Sequence, residues 1–110
     1  MATETLAYAA RVGLELGADA IKLKYNGDKN GFRWVVKSAG RAKVMVAGGP
    51  RIEDNKKLLK EVHDFMEAGA SGLAVGRNVW QAKEPLKMTQ ALKAIIFDGA
   101  TVEGALKWLK

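Results

Sequence analysis

A lysine within a short apolar strand is the residue whose type and position most clearly indicate chemistry. Lys22 lies in the segment Ala20–Tyr25, where Ile21 and Leu23 would point to the opposite face of the strand. Burial disfavours the charged amine, and a neutral amine can attack a carbonyl carbon and form a Schiff base. The structural alternative is a lysine that reaches the rim of the sheet or pairs with a carboxylate. Lys24 has the same parity, so spacing alone does not choose between the two lysines.

Two glycine-rich segments follow the next two predicted strands and have the composition of a phosphate-binding cradle. Gly48 and Gly49 leave the second strand, and Gly76 and Arg77 leave the third. Glycine lets backbone N–H groups approach an anion closely, and arginine adds a bidentate fork. The structural alternative is that these glycines only form tight turns. Trp80 follows the second loop and is predicted either to pack or to line the site.

The elements that must position these residues alternate regularly between helix and strand. Apolar runs bounded by glycine predict strands at 20–25, 43–47 and 72–75. Helical spacing predicts helices at 4–16, 31–38, 53–68, 85–97 and 102–109, with a single turn at 79–81 and Thr3 as the first N-cap. The order α-βα-βα-βα requires a parallel sheet with right-handed crossovers. The sequence therefore predicts a single α/β unit over residues 1–110.

The composition limits the classes of protein and ligand to consider. The chain has 110 residues, no cysteine, one histidine (His63) and a formal net charge of +6 at pH 7. These numbers predict one small domain or a piece of a larger one, without disulfides, a metal centre or another cofactor. With no long apolar run and no basic leader, we expect a cytoplasmic protein without a membrane partner. The positive charge suits an anionic partner such as a phosphorylated metabolite, and no motif indicates nucleic-acid binding.

Five segments of the chain carry a resemblance to a known family. They are Ala7-Tyr8-Ala9-Ala10-Arg11, Gly17-Ala18-Asp19-Ala20-Ile21-Lys22, Tyr25-Asn26-Gly27-Asp28, Val46-Ala47-Gly48-Gly49-Pro50 and Ala74-Val75-Gly76-Arg77-Asn78-Val79-Trp80-Gln81. Together they resemble the archaeal-type class I fructose-bisphosphate aldolases, the DhnA-type aldolase group, over nearly the whole chain. The same segments are similar to two related groups, the aminodideoxyheptulosonate synthases and the thiolases that process the phosphorylated autoinducer-2 signal.

The resemblance implies a (β/α)8 TIM barrel in which this chain is the carboxy-terminal part, with strands six, seven and eight. It also implies that Lys22 is the Schiff-base lysine and that Gly48, Gly49, Gly76 and Arg77 hold a substrate phosphate. The implied reaction is the reversible cleavage of fructose 1,6-bisphosphate to dihydroxyacetone phosphate and glyceraldehyde 3-phosphate. This reaction of glycolysis and gluconeogenesis would proceed through a lysine imine and without a metal. A phosphorylated sugar is therefore the expected partner.

The chain departs from the family in its length. Complete barrels of this kind typically have about 250 residues, so the first five strands are absent here. With them go the family's tyrosine acid/base on the fifth strand and its aspartate on the first. Three strands cannot close an eight-stranded barrel and leave open edges. We therefore expect either a homo-oligomer or assembly with a separate amino-terminal barrel half; the alternative is a non-catalytic, self-associating α/β fragment with a vestigial phosphate site.

Overall fold

The computed structural model describes residues 1–110 as a three-stranded parallel sheet combined with six α-helices and a 3₁₀ turn. The strands are β1 (Ala20–Leu23), β2 (Lys43–Ala47) and β3 (Gly72–Ala74), in the spatial order β1-β2-β3. The helices are α1 (Thr3–Glu15), α2 (Lys29–Ser38), α3 (Asn55–Glu67), α4 (Arg77–Trp80), α5 (Pro85–Asp98) and α6 (Val102–Leu106), with the 3₁₀ turn at Lys107–Leu109. None of these helices is both long enough and apolar enough to cross a membrane.

The sheet has one covered face and one open face. Its register pairs Ile21 with Val44 and Leu23 with Val46, and because residues in register share a face, these side chains point the same way. This is the face that packs on the helices, since Ile21, Val44 and Val46 are buried in the hydrophobic core. The opposite face carries four exposed residues, Ala20, Lys22, Lys43 and Ala74. The outer edges of β1 and β3 have no strand paired to them.

The core lies between the covered face and the helices. Gly13 of α1 is one position where close approach requires glycine, because a Cβ atom there would lie 2.9 Å from Cδ1 of Ile21. Tyr25 packs edge-on against Phe32 and Phe65, with ring centroids 5.2 Å and 5.6 Å apart. Edge-to-face pairs of this kind stabilise a core beyond the area that they bury. The carboxyl end of β1 is therefore anchored to both α2 and α3.

The structure keeps the predicted order of elements and corrects several boundaries. The first strand ends at Leu23 and not at Tyr25, and α2 begins at Lys29, two residues before the predicted start. The prediction of Thr3 as an N-cap is wrong, because Ala2 occupies the cap position without a side-chain bond. The Thr3 hydroxyl donates to a carboxylate oxygen of Asp28 at 2.8 Å. A tertiary hydrogen bond has therefore replaced the local one.

Asp28 is the residue that fixes the turn between β1 and α2. Its carboxylate accepts a hydrogen bond from the Gly31 N–H at 2.9 Å and so caps the amino end of α2. Its own N–H donates to the side-chain oxygen of Asn26 at 3.1 Å. A Cβ atom on Gly31 would lie 2.1 Å from a carboxylate oxygen of Asp28, so the cap requires glycine at that position. Side-chain hydrogen bonds therefore hold the polar segment after β1 in a defined turn.

The Asp28 cap predicts a pH dependence of stability. The hydrogen bond from the Gly31 N–H, followed by that from Thr3, lowers the pKa of Asp28 below its usual value. A carboxylate whose pKa is lower in the folded than in the unfolded state stabilises the folded protein at pH values above its unfolded-state pKa. This contribution is lost as the pH falls through its folded-state pKa. Asp28→Asn keeps an acceptor for the Gly31 N–H and does not titrate. Its melting temperature is therefore expected to fall less than that of the wild type between about pH 6 and about pH 3.

The control for this measurement is Asp98→Asn, which removes an exposed carboxylate that makes no side-chain hydrogen bond. This variant should follow the wild type on acidification. An Asp28→Asn protein that loses as many degrees as the wild type would show that the cap does not contribute to acid sensitivity.

Candidate active site

Lys22 lies on the open face of the sheet, in the edge strand β1. It pairs in register with Met45, which in turn pairs with Gly72, so these three residues form one row across the sheet. The side chain is exposed, and none of the ion pairs of the chain includes it. The predicted orientation, opposite to Ile21, is the one observed. The lysine is exposed because no element of this chain covers the open face, and its burial inside a barrel stays a prediction.

Lys24 differs from Lys22 because the strand ends between them. β1 stops at Leu23, so the alternation of faces does not extend to Lys24. The Lys24 side chain is exposed and borders a cleft on the helix side of the sheet, together with Gly48 and Gly49. The alternation of β1 therefore assigns a face to Lys22 but not to Lys24.

The two predicted glycine loops lie side by side at the carboxyl edge of the sheet. The N–H of Gly48 donates to the carbonyl oxygen of Ala74 at 2.9 Å. A Cβ atom on Gly48 would lie 3.0 Å from Cα of Val75, so the two backbones meet where only glycine fits without a shift. Gly49 has a φ of +76° and open space around its α-carbon. The loop thus turns in a left-handed conformation that favours glycine.

Gly76 and Arg77 form the other half of the predicted cradle. Gly76 occupies the N-cap position of α4, and Arg77 begins that helix. The Arg77 side chain is exposed and makes no hydrogen bond or ion pair within the chain. Trp80 is 69% exposed, and its indole ring lies 2.7 Å from the position of a Cβ atom on Gly76. Trp80 therefore packs on the loop and not in the core.

Asn78 is a residue that the sequence analysis did not select. Its side chain is completely buried, and it is the only polar residue in the chain that is buried to this degree. Its amide nitrogen donates to the carbonyl oxygen of Pro50 at 3.1 Å, and its amide oxygen accepts from the N–H of Ile52 at 2.7 Å. The sequence places Asn78 within the predicted phosphate-binding loop. Because asparagine is mostly exposed in proteins, this position did not predict its burial.

A cleft of about 290 Å³ lies behind the Gly48-Gly49 loop, between the sheet and α3. Its floor is apolar, and its polar lining includes Tyr25 and Glu61. Burial raises the pKa of both groups, and the negative charge of Asp64 raises them further. Neither Lys22 nor Arg77 borders this cleft. The cleft therefore lies on the helix side of the Gly48-Gly49 loop and does not connect Lys22 to the two glycine loops.

The one group of potential metal ligands lies on α3 and includes none of the proposed site residues. Side-chain ligand atoms of His63, Asp64 and Glu67 all lie within 4.8 Å of one another. Lys29 contacts both carboxylates, and Lys60 donates to Asp64 at 2.9 Å. These ammonium groups occupy the positions that a cation would need, so the donor set fits an ion-pair network on the helix surface.

The fold and these loops define a class of protein. The chain is an α/β protein built of consecutive parallel βα units, a class in which ligands bind at the carboxyl ends of the strands. Comparison with known families identifies it further. Residues 2–82 match the DeoC/LacD family of aldolases, and the chain belongs to this family.

Similar proteins are much longer than this chain. The class 1 fructose-bisphosphate aldolase of Thermoproteus tenax is 51% identical over 98 residues, which are 89% of this chain and 37% of the relative. A solved structure of a Schiff-base-forming fructose-1,6-bisphosphate aldolase is 51% identical with a TM-score of 0.84, over 87% of this chain and 38% of that protein. The 2-amino-3,7-dideoxy-D-threo-hept-6-ulosonate synthase of Halobacterium salinarum is 40% identical, over 92% and 37% respectively. The chain thus spans less than two fifths of these proteins.

Proposed function

We propose that this chain carries the imine-forming lysine and the phosphate-binding loops of a class I fructose-bisphosphate aldolase. Lys22 is the proposed nucleophile, and Gly48, Gly49, Gly76 and Arg77 are the proposed phosphate ligands. The single observation that carries the proposal is the position of Lys22. It projects from the sheet face that no helix covers, one residue before the carboxyl end of β1, and the two adjacent glycine loops lie at this same end of the sheet.

The geometry suits a short phosphorylated ketone. Gly48 lies three residues beyond Met45, the register partner of Lys22, which corresponds to about 10 Å along the strand. The lysine side chain spans part of this distance, and a three-carbon ketone phosphate spans the remainder. The backbone N–H groups of Gly49 and Gly76 and the Arg77 guanidinium would hold the phosphate, while Gly48, whose N–H bonds to Ala74, would let the loop approach it closely. The carbonyl carbon of the same molecule would then lie against the amine.

The proposed chemistry uses the lysine amine as a nucleophile. The neutral amine adds to the ketone carbon of the substrate, and loss of water from the resulting carbinolamine leaves an iminium ion. When the neighbouring carbon–carbon bond breaks, its electron pair moves toward this cation and forms an enamine, and the aldehyde product departs. Removal of the hydroxyl proton of the departing fragment requires a base outside this chain, because the tyrosine of the family lies on another strand.

We further propose that the three strands are the sixth, seventh and eighth of a (β/α)8 barrel. The family membership, the single covered face and the two open edges support this assignment. In such a barrel the open face becomes the interior, which is where an imine-forming lysine belongs. The residues 1–110 would then be one partial barrel segment that requires further strands, either from an amino-terminal half or from another copy.

Borohydride trapping is the experiment that tests the proposal. The chain is incubated with dihydroxyacetone phosphate and sodium borohydride, and its intact mass is measured before peptide mapping. One reduced adduct on Lys22 supports the proposed function. An unlabelled chain, or labelling spread over many surface lysines, supports the alternative of a non-catalytic fragment with a vestigial anion site.

A synthase related to aminodideoxyheptulosonate formation is the second candidate function. The 40% identity to the Halobacterium salinarum synthase favours it, whereas the 51% identity to the Thermoproteus tenax aldolase favours cleavage of fructose 1,6-bisphosphate. An assembled barrel that releases glyceraldehyde 3-phosphate from fructose 1,6-bisphosphate is expected under the first function only.

The assembly proposal predicts which surface contacts the missing strands. A groove of about 330 Å³ runs beside β3 and is lined by apolar residues of α5, including Phe97. Phe97 is 75% exposed, and burying a phenylalanine side chain contributes about 1.5–3 kcal/mol. Phe97→Asp should therefore weaken capture of the part of the Thermoproteus tenax aldolase that this chain does not match, by at least about tenfold.

Leu86→Asp is the matched control, because Leu86 lies on the same helix, is 74% exposed and does not line the groove. The Leu86→Asp chain should bind the Thermoproteus tenax segment as tightly as the wild-type chain does. Each chain is purified together with the segment, and the complex is analysed by sedimentation. Equal losses in the two variants would mean that the introduced charge, and not the groove, weakens assembly.

A further inference from the structure

Asn78 connects the two glycine loops through a buried amide. Its nitrogen and oxygen bond to Pro50 and Ile52, which belong to the segment 50–52 after the Gly48-Gly49 turn. Asn78 itself follows Gly76 and Arg77 in the chain, so the amide reaches from the second loop to the first. Because the side chain is completely buried, these bonds do not compete with water.

The loops are held at two points along their length. At the strand ends, the Gly48 N–H donates to the Ala74 carbonyl oxygen. Further out, the Asn78 amide makes its two bonds to the segment 50–52. Between these points, Gly49 is partly exposed and has no neighbouring atom within 4 Å of a Cβ position, so the space beside its α-carbon is open. Two fixed ends with an accessible turn between them make a rigid but open loop.

We propose that Asn78 is a positioning residue for the substrate phosphate. By fixing the Gly48-Gly49 turn relative to Gly76 and Arg77, the amide lets donors from two different loops converge on one anion. This inference rests on the proposed function and adds a residue that does not itself contact the ligand. The Asn78 amide is completely buried, so it is not placed to contact a substrate directly.

Two substitutions of Asn78 should disrupt its hydrogen bonds to the segment 50–52 in different ways. Asn78→Asp retains an oxygen for the Ile52 N–H, but it loses the donor and places a carboxylate beside the Pro50 carbonyl oxygen. Asn78→Ala leaves both backbone groups without their partner. An unsatisfied buried polar group is more costly than the hydrogen bond that it loses, so the segment 50–52 should open locally in both variants.

The test compares trapping of two ketones at Lys22, with and without a phosphate. Wild type, Asn78→Asp and Asn78→Ala are each treated with borohydride and either dihydroxyacetone phosphate or dihydroxyacetone. The wild type should prefer the phosphorylated ketone, and the Asn78 variants should lose about tenfold of that preference while trapping dihydroxyacetone normally. Asn30→Asp, which makes the same substitution on the surface of α2, should keep the full preference.

Amide hydrogen exchange of Ile52 provides the second measurement. Its protection should fall about tenfold in both Asn78 variants and remain unchanged in Asn30→Asp. If Ile52 loses protection while the phosphate preference persists, or if both ketones are trapped equally poorly, the positioning role is wrong. A wild-type chain that traps neither ketone at Lys22 contradicts the proposed function and this inference with it, whereas a retained preference in Asn78→Asp contradicts this inference alone.

Discussion

Lys22→Ala should abolish the borohydride-stable adduct with dihydroxyacetone phosphate completely. Alanine has no amine. Lys43 is the other exposed lysine of the open face, but it lies at the amino end of β2, away from the glycine loops, so it should not replace the nucleophile. The expected change in the mass spectrum is the loss of the single adduct peak. The fold should be preserved, because the Lys22 side chain is exposed and makes no ion pair whose loss would destabilise the sheet.

Lys24→Ala is the control that makes this result specific. It removes an equal charge two residues away, from a side chain that borders the helix-side cleft. The adduct should remain on Lys22 in this variant. If Lys22→Ala is still labelled to the same extent, or if the label maps to Lys24, the assignment of the nucleophile is refuted.

Arg77→Ala should weaken the binding of dihydroxyacetone phosphate by about tenfold to a hundredfold. A hydrogen bond to a charged group contributes about 1.5–3 kcal/mol, and each 1.4 kcal/mol corresponds to about a factor of ten. The Arg77 guanidinium has no partner within the chain, so the loss should appear in binding and not in stability. The measurement is calorimetric titration at constant ionic strength, because screening by salt changes such affinities.

Arg33→Ala and Arg77→Lys complete this experiment. Arg33 is exposed on α2, and its removal changes the net charge by the same amount without touching the loops. Arg77→Lys keeps the charge but not the planar fork, so it should recover only part of the affinity. Similar losses in Arg33→Ala and Arg77→Ala would show that the phosphate responds to the overall positive charge and not to a defined ligand.

Local signals were sufficient to predict the ends of most helices. Gly17, Gly40, Gly69 and Gly99 each follow a predicted helix within two residues, and all four adopt a positive φ in the structure. The reason is that a glycine at a helix end satisfies a conformational requirement of its own neighbourhood. Thr3 shows the opposite case. Its hydroxyl had a local use as a cap, but it bonds to Asp28, 25 residues away, and no local pattern contains that partner.

For the candidate site, as for the helix ends, only the features that depend on neighbouring residues in the chain could be predicted. The alternation within β1 correctly predicted that Lys22 and Ile21 point to opposite faces, because strand periodicity is local. The exposure of Lys22 depends on which elements cover the sheet, and the position of Lys24 depends on where β1 ends. Asn78 could not be singled out because its burial arises only when the segment 50–52 folds over it.

The order of the strands in the sheet is also the order of their synthesis. Each strand pairs with the one that precedes it in the chain, across connections 24–42 and 48–71. Every pairing can therefore form as soon as the next βα unit leaves the ribosome, without waiting for a distant part of the chain. At about 5–20 residues per second, the newest edge waits a few seconds for its neighbour. A nascent sheet of this kind gains one strand at a time on one side, so its unpaired edges are always the outer edge of β1 and the edge of the newest strand.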